Sequence, residues 1–341
     1  MTSAAPDPLA VQPLDEAYRS LVAPGTPIAL LDFPLYPNVG DSAIWLGAAA
    51  LAQRNGNTIK YTANHASYSA AGLRRCLPED GVIVVQGGGN FGDRWPAHHQ
   101  LRERVVSDFP DRPVVFLPIS VEFLSAEAAE RSFALLAAHP RLHVMVRDRA
   151  SCATVEQALP GRTRLTPDAA TALGHLDAGA AAPAHDVVAL VRTDSEAQAR
   201  VPAPPAGLDV RVIDWLNVPG QDGYDPAFRR SEWALQRLGS VLVRVPAIAP
   251  PGHQSLVLAA YMRMARRRLA WGVRVLASGR VVATDRLHAH IICELLGRRH
   301  VVADSGHGKI SGYVATHGQS ATSTLVAPAE LYDAVARELA R

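Results

Sequence analysis

The sequence predicts an α/β protein of two domains, each a parallel sheet wrapped by helices, with a ligand cleft between them. Three observations carry this expectation. Short apolar, β-branched runs alternate with amphipathic helical patterns along the chain; the alternation pauses in an Ala-, Gly- and Pro-rich stretch at 174–184 and then restarts; and 341 residues suffice for two cores. The domains are expected at 1–180 and 181–341, with the last helix, 327–341, able to pack back on the first domain.

In chain order, Ile28 to Phe33 reads as a buried first strand, and Asn38, Gly40 and Asp41 lie in the loop that follows. Asp41 is a candidate N-cap for a helix from Ser42 to about Arg54, which stops at Asn55-Gly56. A carboxylate there opposes a phosphate, so the loop suits sugar hydroxyls or plain capping. Thr58–Thr62 and 81–86 are strands, the second running into Gly87-Gly88-Gly89-Asn90-Phe91-Gly92-Asp93. Adjacent glycines let backbone amides turn toward an anion or let a ligand approach closely. The same letters satisfy G-x-G-x-x-G, but after the third strand, not the first, and with no acidic end to the next strand, which argues against a dinucleotide. His98 and His99, as helical neighbours, point apart and share no metal.

Further strands at 113–120 and 142–146, the second ending at Arg147-Asp148-Arg149, flank a helix at 125–138; a helix at 151–159 and a turn at Thr166-Pro167-Asp168 follow. Past the linker, 187–191 is a strand leading to Arg192-Thr193-Asp194-Ser195-Glu196, then come a strand at 210–216 and a long helix at 255–271. That helix has Leu258, Tyr261, Met262, Ala265 and Leu269 on one face and Arg263, Arg266, Arg267 and Arg274 off it; it suits a core helix with a solvated basic face, or peripheral contact with the inner membrane. Strand 281–284 discharges into Asp285-Arg286-Leu287-His288, with Asp285 as possible cap and partner of Arg286, and strand 300–304 into a loop bearing Gly308-Lys309.

The bulk properties narrow the class. A hydrophobic share of 48% with 19% charged residues excludes a largely disordered chain, and a net charge of +2 gives no electrostatic reason to bind nucleic acid. Cys76, Cys152 and Cys293 are odd in number and far apart, which suits reduced core residues. A start without a basic segment leading into an apolar run, and no stretch near the ~18 apolar residues of a span, point to the cytoplasm. Lys60 and Lys309 are the only lysines, so Lys309 stands out.

Taken together, Asn38-Val39-Gly40-Asp41, Gly87 to Asn90 with Gly92-Asp93, Arg147-Asp148 with Ser151, Thr166-Pro167-Asp168, Arg192 to Glu196, Asp285 to His288 and Gly308-Lys309 resemble, in family order, the polysaccharide pyruvyl transferase family. The resemblance implies two Rossmann-like domains in a glycosyltransferase-B-like (GT-B) fold. It also implies transfer of pyruvyl from phosphoenolpyruvate onto two sugar hydroxyls as a cyclic ketal, in exopolysaccharide or cell-wall glycan synthesis. Arg286, Leu287, His288 and Arg147 match residues the family associates with phosphoenolpyruvate. In the loop before Gly308-Lys309 relatives carry an Asn and a Tyr where this chain has Ser305 and His307, which bears on acceptor choice.

The residues agree with that chemistry on their own terms. Phosphoenolpyruvate carries a phosphate and a carboxylate, so its site needs several cations; Arg147, Arg286 and Lys309 each follow a strand end. Ketal formation moves protons, and His288 is the candidate acid–base group, with Arg286 beside it. Asn38, Gly40, Asp41, Gly88, Gly89, Asn90, Asp93, Asp194 and Glu196 are assigned to the acceptor or to loop structure. The acceptor is expected to be lipid-linked or nucleotide-linked. No cofactor or metal is expected, since His288 and His290 diverge on a helix and His290 with Cys293 makes only two ligands. The alternatives are a GT-B glycosyltransferase using a nucleotide sugar, an idle scaffold, and last an oxidoreductase.

Overall fold

A computed structural model describes residues 10–192, 202–215, 230, 234, 237, 252–304 and 308–341. Asp194, Glu196, Ser305 and His307 lie outside the described residues. The chain divides into two compact units: Met1–Leu35 with Ile44–Ala172 and Ala227–Met264, and Tyr36–Ala43 with Leu173–Pro226 and Ala265–Arg341.

The first unit is built on β1 (Ile28–Leu31), β2 (Ile59–Ala63), β3 (Val82–Val85), β4 (Gly88–Phe91), β5 (Val114–Val121), β6 (Leu142–Val146) and β7 (Thr163–Leu165). Their order is β2-β1-β3-β5-β6-β7, with β4 paired to β5, and every pairing is parallel. β1 and β3 are buried along their whole length, which is why they read as unbroken apolar runs and not as alternating ones. The helix Val39–Arg54 starts earlier than the sequence suggested because Asn38 is the cap: its Oδ1 accepts from Gly40 N at 2.8 Å and Asp41 N at 3.4 Å. Asp41 therefore lies inside the first turn.

The glycine loop holds a strand that was not expected. Gly87 abuts the Pro118 carbonyl so closely that a Cβ would sit 2.1 Å from its oxygen, and this approach admits β4 beside β5. The glycines thus serve strand packing in the first instance. The helix Leu14–Leu21 and the strand β7 were also absent from the sequence reading.

The second unit is built on β8 (His185–Leu190), β9 (Val210–Ile213), β10 (Gly279–Thr284), β11 (His300–Ala303) and β12 (Ser323–Val326), in the order β12-β11-β10-β8-β9, again all parallel. The strand β12 went unread in the sequence. In each sheet the first strand lies between the second and the third described strands, the flavodoxin-like order of a doubly wound sheet. Mixed α/β architecture with parallel sheets is as expected.

The long helix, His253–Ala277, outruns its expected bounds at both ends. Tyr261, Ala265 and Leu269 are buried; Arg263, Arg266, Arg267 and Arg274 are exposed. Within the first unit Tyr261 stacks on Phe33 at 3.9 Å between ring centroids, edge-on to Trp45, and its hydroxyl accepts from Asn64 at 3.0 Å. Among the described residues no helix is long and apolar enough to cross a membrane.

Candidate active site

In the second unit, chemistry collects beyond the carboxyl ends of neighbouring strands. β10 ends at Thr284, whose hydroxyl donates to Leu190 O at 2.7 Å and accepts from Arg286 N at 3.1 Å, fixing the corner into the helix Leu287–Leu295. Arg286 takes the N-cap position and its side chain makes no cap; Asp285 is therefore not the cap. Nor is Asp285 the hydrogen-bonded partner of Arg286. Among the described residues a partner is Asp214, just past β9, at 2.5 Å, with both groups buried. Asp285 instead accepts from Arg192 N, just past β8, at 2.9 Å. Burial lifts the Asp285 carboxyl to about 6, against the lowering effect of that amide and of the Arg286 and Arg192 charges.

His288 occupies the first turn of the helix, partly exposed, while Leu287 is buried. Gly40 lies directly against it: a Cβ there would fall 2.6 Å from His288 Cβ, Cγ and Nδ1. The structure thus brings together Asn38-Gly40-Asp41 and His288, two stretches the sequence could only name separately. Lys309 opens the helix Lys309–His317 after β11, behind Gly308 at φ +65°, and Asp304 accepts from Ser311 N at 2.9 Å in its first turn. His290 turns away from His288: its Nδ1 meets His300 Nε2 at 2.8 Å. Burial holds the two at about 3 and about 4, so both are neutral near pH 7, and Glu294 at 3.7 Å from His290 makes no ion pair.

In the first unit, Arg147 follows β6 and is 2% exposed. It pairs with Asp168 at 2.6 Å and donates through Nε to Ser120 at 2.8 Å, and its guanidinium lies 3.2 Å from where a Gly89 Cβ would stand. Asp148 caps the helix Arg149–Ala158 through Ser151 N at 2.7 Å, and Ser151 Oγ accepts from Val121 N at 2.9 Å, which explains that motif as a tie between β5 and the helix. Asp93 accepts from Leu124 and Ser125 amides, which hold its carboxyl below the usual range. Asn90 accepts from Arg102 at 2.9 Å, leaving Gly88 and Gly89 on the strand between.

A further cluster escaped the sequence. Asp32, immediately after β1, receives His98 Nδ1 at 2.8 Å on one oxygen and stands 3.4 Å from the buried Arg102 guanidinium on the other. His65, just past β2, sets its ring 5.0 Å from that of His98. Burial alone would raise the Asp32 carboxyl, but the His98 hydrogen bond and the charges of His98, Arg102 and His65 hold it below the usual range. Asp32 was read as part of an apolar strand; its signal was a single carboxylate at a strand end. His99 diverges as expected, reaching Glu103 at 3.2 Å.

The family model for polysaccharide pyruvyl transferase matches residues 38–307. Pyruvyl transferase 1 of Schizosaccharomyces pombe is 33% identical over 313 residues, 88% of this chain and 72% of its own length. EpsO of Bacillus subtilis, provisionally named a pyruvyl transferase, is 28% identical over 298 residues, 87% of either chain. A solved structure of an uncharacterised protein from Klebsiella pneumoniae has a TM-score of 0.55 at 14% identity, covering 92% of this chain and 96% of that one; at that identity it speaks to the fold alone.

Proposed function

The chain belongs to the polysaccharide pyruvyl transferase family, and from that premise we propose that it moves the pyruvyl group of phosphoenolpyruvate onto two hydroxyls of a glycan sugar, releasing phosphate and closing a cyclic ketal. A place in exopolysaccharide or cell-wall glycan synthesis, with a lipid-linked or nucleotide-linked acceptor, goes with it. The observation that carries the reading is the corner after β10. There a buried Arg286, oriented by Asp214, and a partly exposed His288 follow one strand end, with Gly40 packed on the imidazole.

The roles follow from the reaction. A proton added to the methylene carbon of phosphoenolpyruvate makes it a methyl group and leaves positive charge on the carbon that bears phosphate. One hydroxyl bonds to that carbon and loses its proton. Phosphate then departs with the electron pair of its carbon–oxygen bond, and the second hydroxyl bonds to the carbon in its place, its proton ending on the phosphate. Arg286 and Lys309 supply fixed positive charge for the phosphate and carboxylate, Leu287 lines the same corner, and His288 transfers protons.

Calorimetric titration of phosphoenolpyruvate into the wild type, Arg286→Lys and His288→Asn tests the donor. The wild type should bind it saturably, and Arg286→Lys should weaken binding by about tenfold through loss of bidentate geometry. Binding of UDP with none of phosphoenolpyruvate would replace this reading with a nucleotide-sugar glycosyltransferase.

A further inference from the structure

The helix His253–Ala277 carries five arginines and no aspartate or glutamate over its 25 residues. From Leu256 to Arg274 its exposed positions are four of those arginines, Arg263, Arg266, Arg267 and Arg274, two alanines, Ala259 and Ala270, and Leu256. At 3.6 residues per turn all of them fall within about 100° of arc, in one stripe about 27 Å long at 1.5 Å per residue. The fifth arginine, Arg268, is buried and faces away from the stripe, as Tyr261 and Ala265 do.

This is not the mixed-charge surface of an ordinary solvated helix. Exposed arginines elsewhere meet carboxylates: Arg54 with Asp15 at 2.8 Å, Arg280 with Asp186 at 3.2 Å and Arg341 with Glu338 at 2.8 Å. None of the four in the stripe has a salt bridge among the described residues. Arg263 stands three and four residues from Arg266 and Arg267, spacings at which like charges repel, so the face is relieved by an external anion. The whole chain carries only +2, so without these four arginines it would be net acidic. Leu256, at 74%, is the most exposed large hydrophobic side chain among the described residues, and it stands in the same stripe.

We propose that this face of the helix docks on an anionic phospholipid bilayer, with the four guanidinium groups against headgroup phosphates and Leu256 inserted between them. The inference goes beyond the ketal reading and does not depend on it; a lipid-linked acceptor would lie in such a bilayer. Charge spread along an exposed helix face matches a sheet of headgroups, whereas a single free phosphate is held in a pocket of converging donors. Each arginine near an anionic surface strengthens binding by about fivefold, and the inserted leucine is the second signal that lasting attachment takes. Nucleic acid would be read with amide, hydroxyl or aromatic side chains beside the cations, and the positions here are alanines. The contact is peripheral, since among the described residues no helix is long and apolar enough to cross a membrane.

The test is sedimentation of the full chain with vesicles of phosphatidylcholine alone and of phosphatidylcholine with about 30% phosphatidylglycerol. The wild type should pellet with the anionic vesicles and not with the neutral ones, and should be released as salt rises from about 0.1 M to about 0.5 M. Arg263→Gln with Arg267→Gln should weaken binding by about 20- to 30-fold, and Leu256→Ser by about fivefold. Arg131→Gln with Arg337→Gln, the same charge change on other exposed helices, should bind as the wild type does, which separates this face from net charge. Melting temperatures should be unchanged in all three, so that a loss of binding is not a loss of fold. A wild type that stays in solution with anionic vesicles, or wild-type vesicle binding by either stripe variant, would overturn the inference. Tighter binding to duplex DNA than to the vesicles, lost in the arginine variant, would overturn it in favour of nucleic acid. No step of this test uses phosphoenolpyruvate, so its failure leaves the donor reading standing.

Discussion

Asp285 shows how one side chain can carry a measurable energy. Its folded-state pKa of about 6 exceeds the ordinary carboxyl value, so the native state holds the proton more tightly than the unfolded chain. Stability from this group is present below the unfolded value and is lost as pH rises from about 4 to about 6. Asp285→Asn keeps an oxygen for the Arg192 amide and removes the buried charge. At pH 7.5 the variant should be more stable by on the order of 2 kcal/mol, and the gap should close near pH 4. His290 and His300, whose pKa values burial lowers, destabilise both proteins alike as pH falls below about 6.5, so the readout is the difference between paired thermal melts. A variant that melts lower at pH 7.5 would refute the assignment. At this scale the sequence disclosed the residues with conspicuous neighbours, such as Arg286 and His288. It hid Asp214 and Asp32, because a carboxylate that ends an apolar run looks like a strand residue until the strand's end is seen.

At the scale of elements, the loop Tyr36–Ala43 is defined by what it touches. With a Gly40 Cβ position 2.6 Å from three His288 atoms, a methyl group there must displace the imidazole or the backbone. Gly40→Ala should lower kcat by about 10²-fold, the scale of an ångström's misplacement of a catalytic group, with little change in the melting temperature. Steady-state kinetics beside a melt would check it; wild-type turnover would mean that His288 is not the group that moves. Strand and helix alternation was legible because buried parallel strands are apolar throughout. β4 was not, since its three residues after Gly88 have no β-branched side chain and its position is set by β5 across a close backbone contact. Helix starts were misplaced where two capping residues competed, as with Asn38 and Asp41.

Over the whole molecule, two sheets of the same order were foreseeable as two α/β halves, but the chain segments that make up each unit were not. Periodicity reports neighbours along the chain, whereas Tyr261 reaches Asn64 across 197 residues and Phe33 from farther still. A fragment ending at residue 180 would therefore expose the Phe33 and Trp45 rings that the long helix covers. Such a fragment should bind a hydrophobic dye and melt without a sharp transition; a cooperative melt matching the full chain would show that the helix is dispensable to this core.

That stacking also sets a timetable for synthesis. The first unit draws on residues up to Met264, so its core cannot close when Ala172 leaves the ribosome. At ordinary translation speeds of about 5–20 residues per second, roughly 4 to 18 seconds pass before Tyr261 arrives to cover Phe33. For that interval the nascent chain presents bare aromatic rings, and this is the window in which a chaperone would find it.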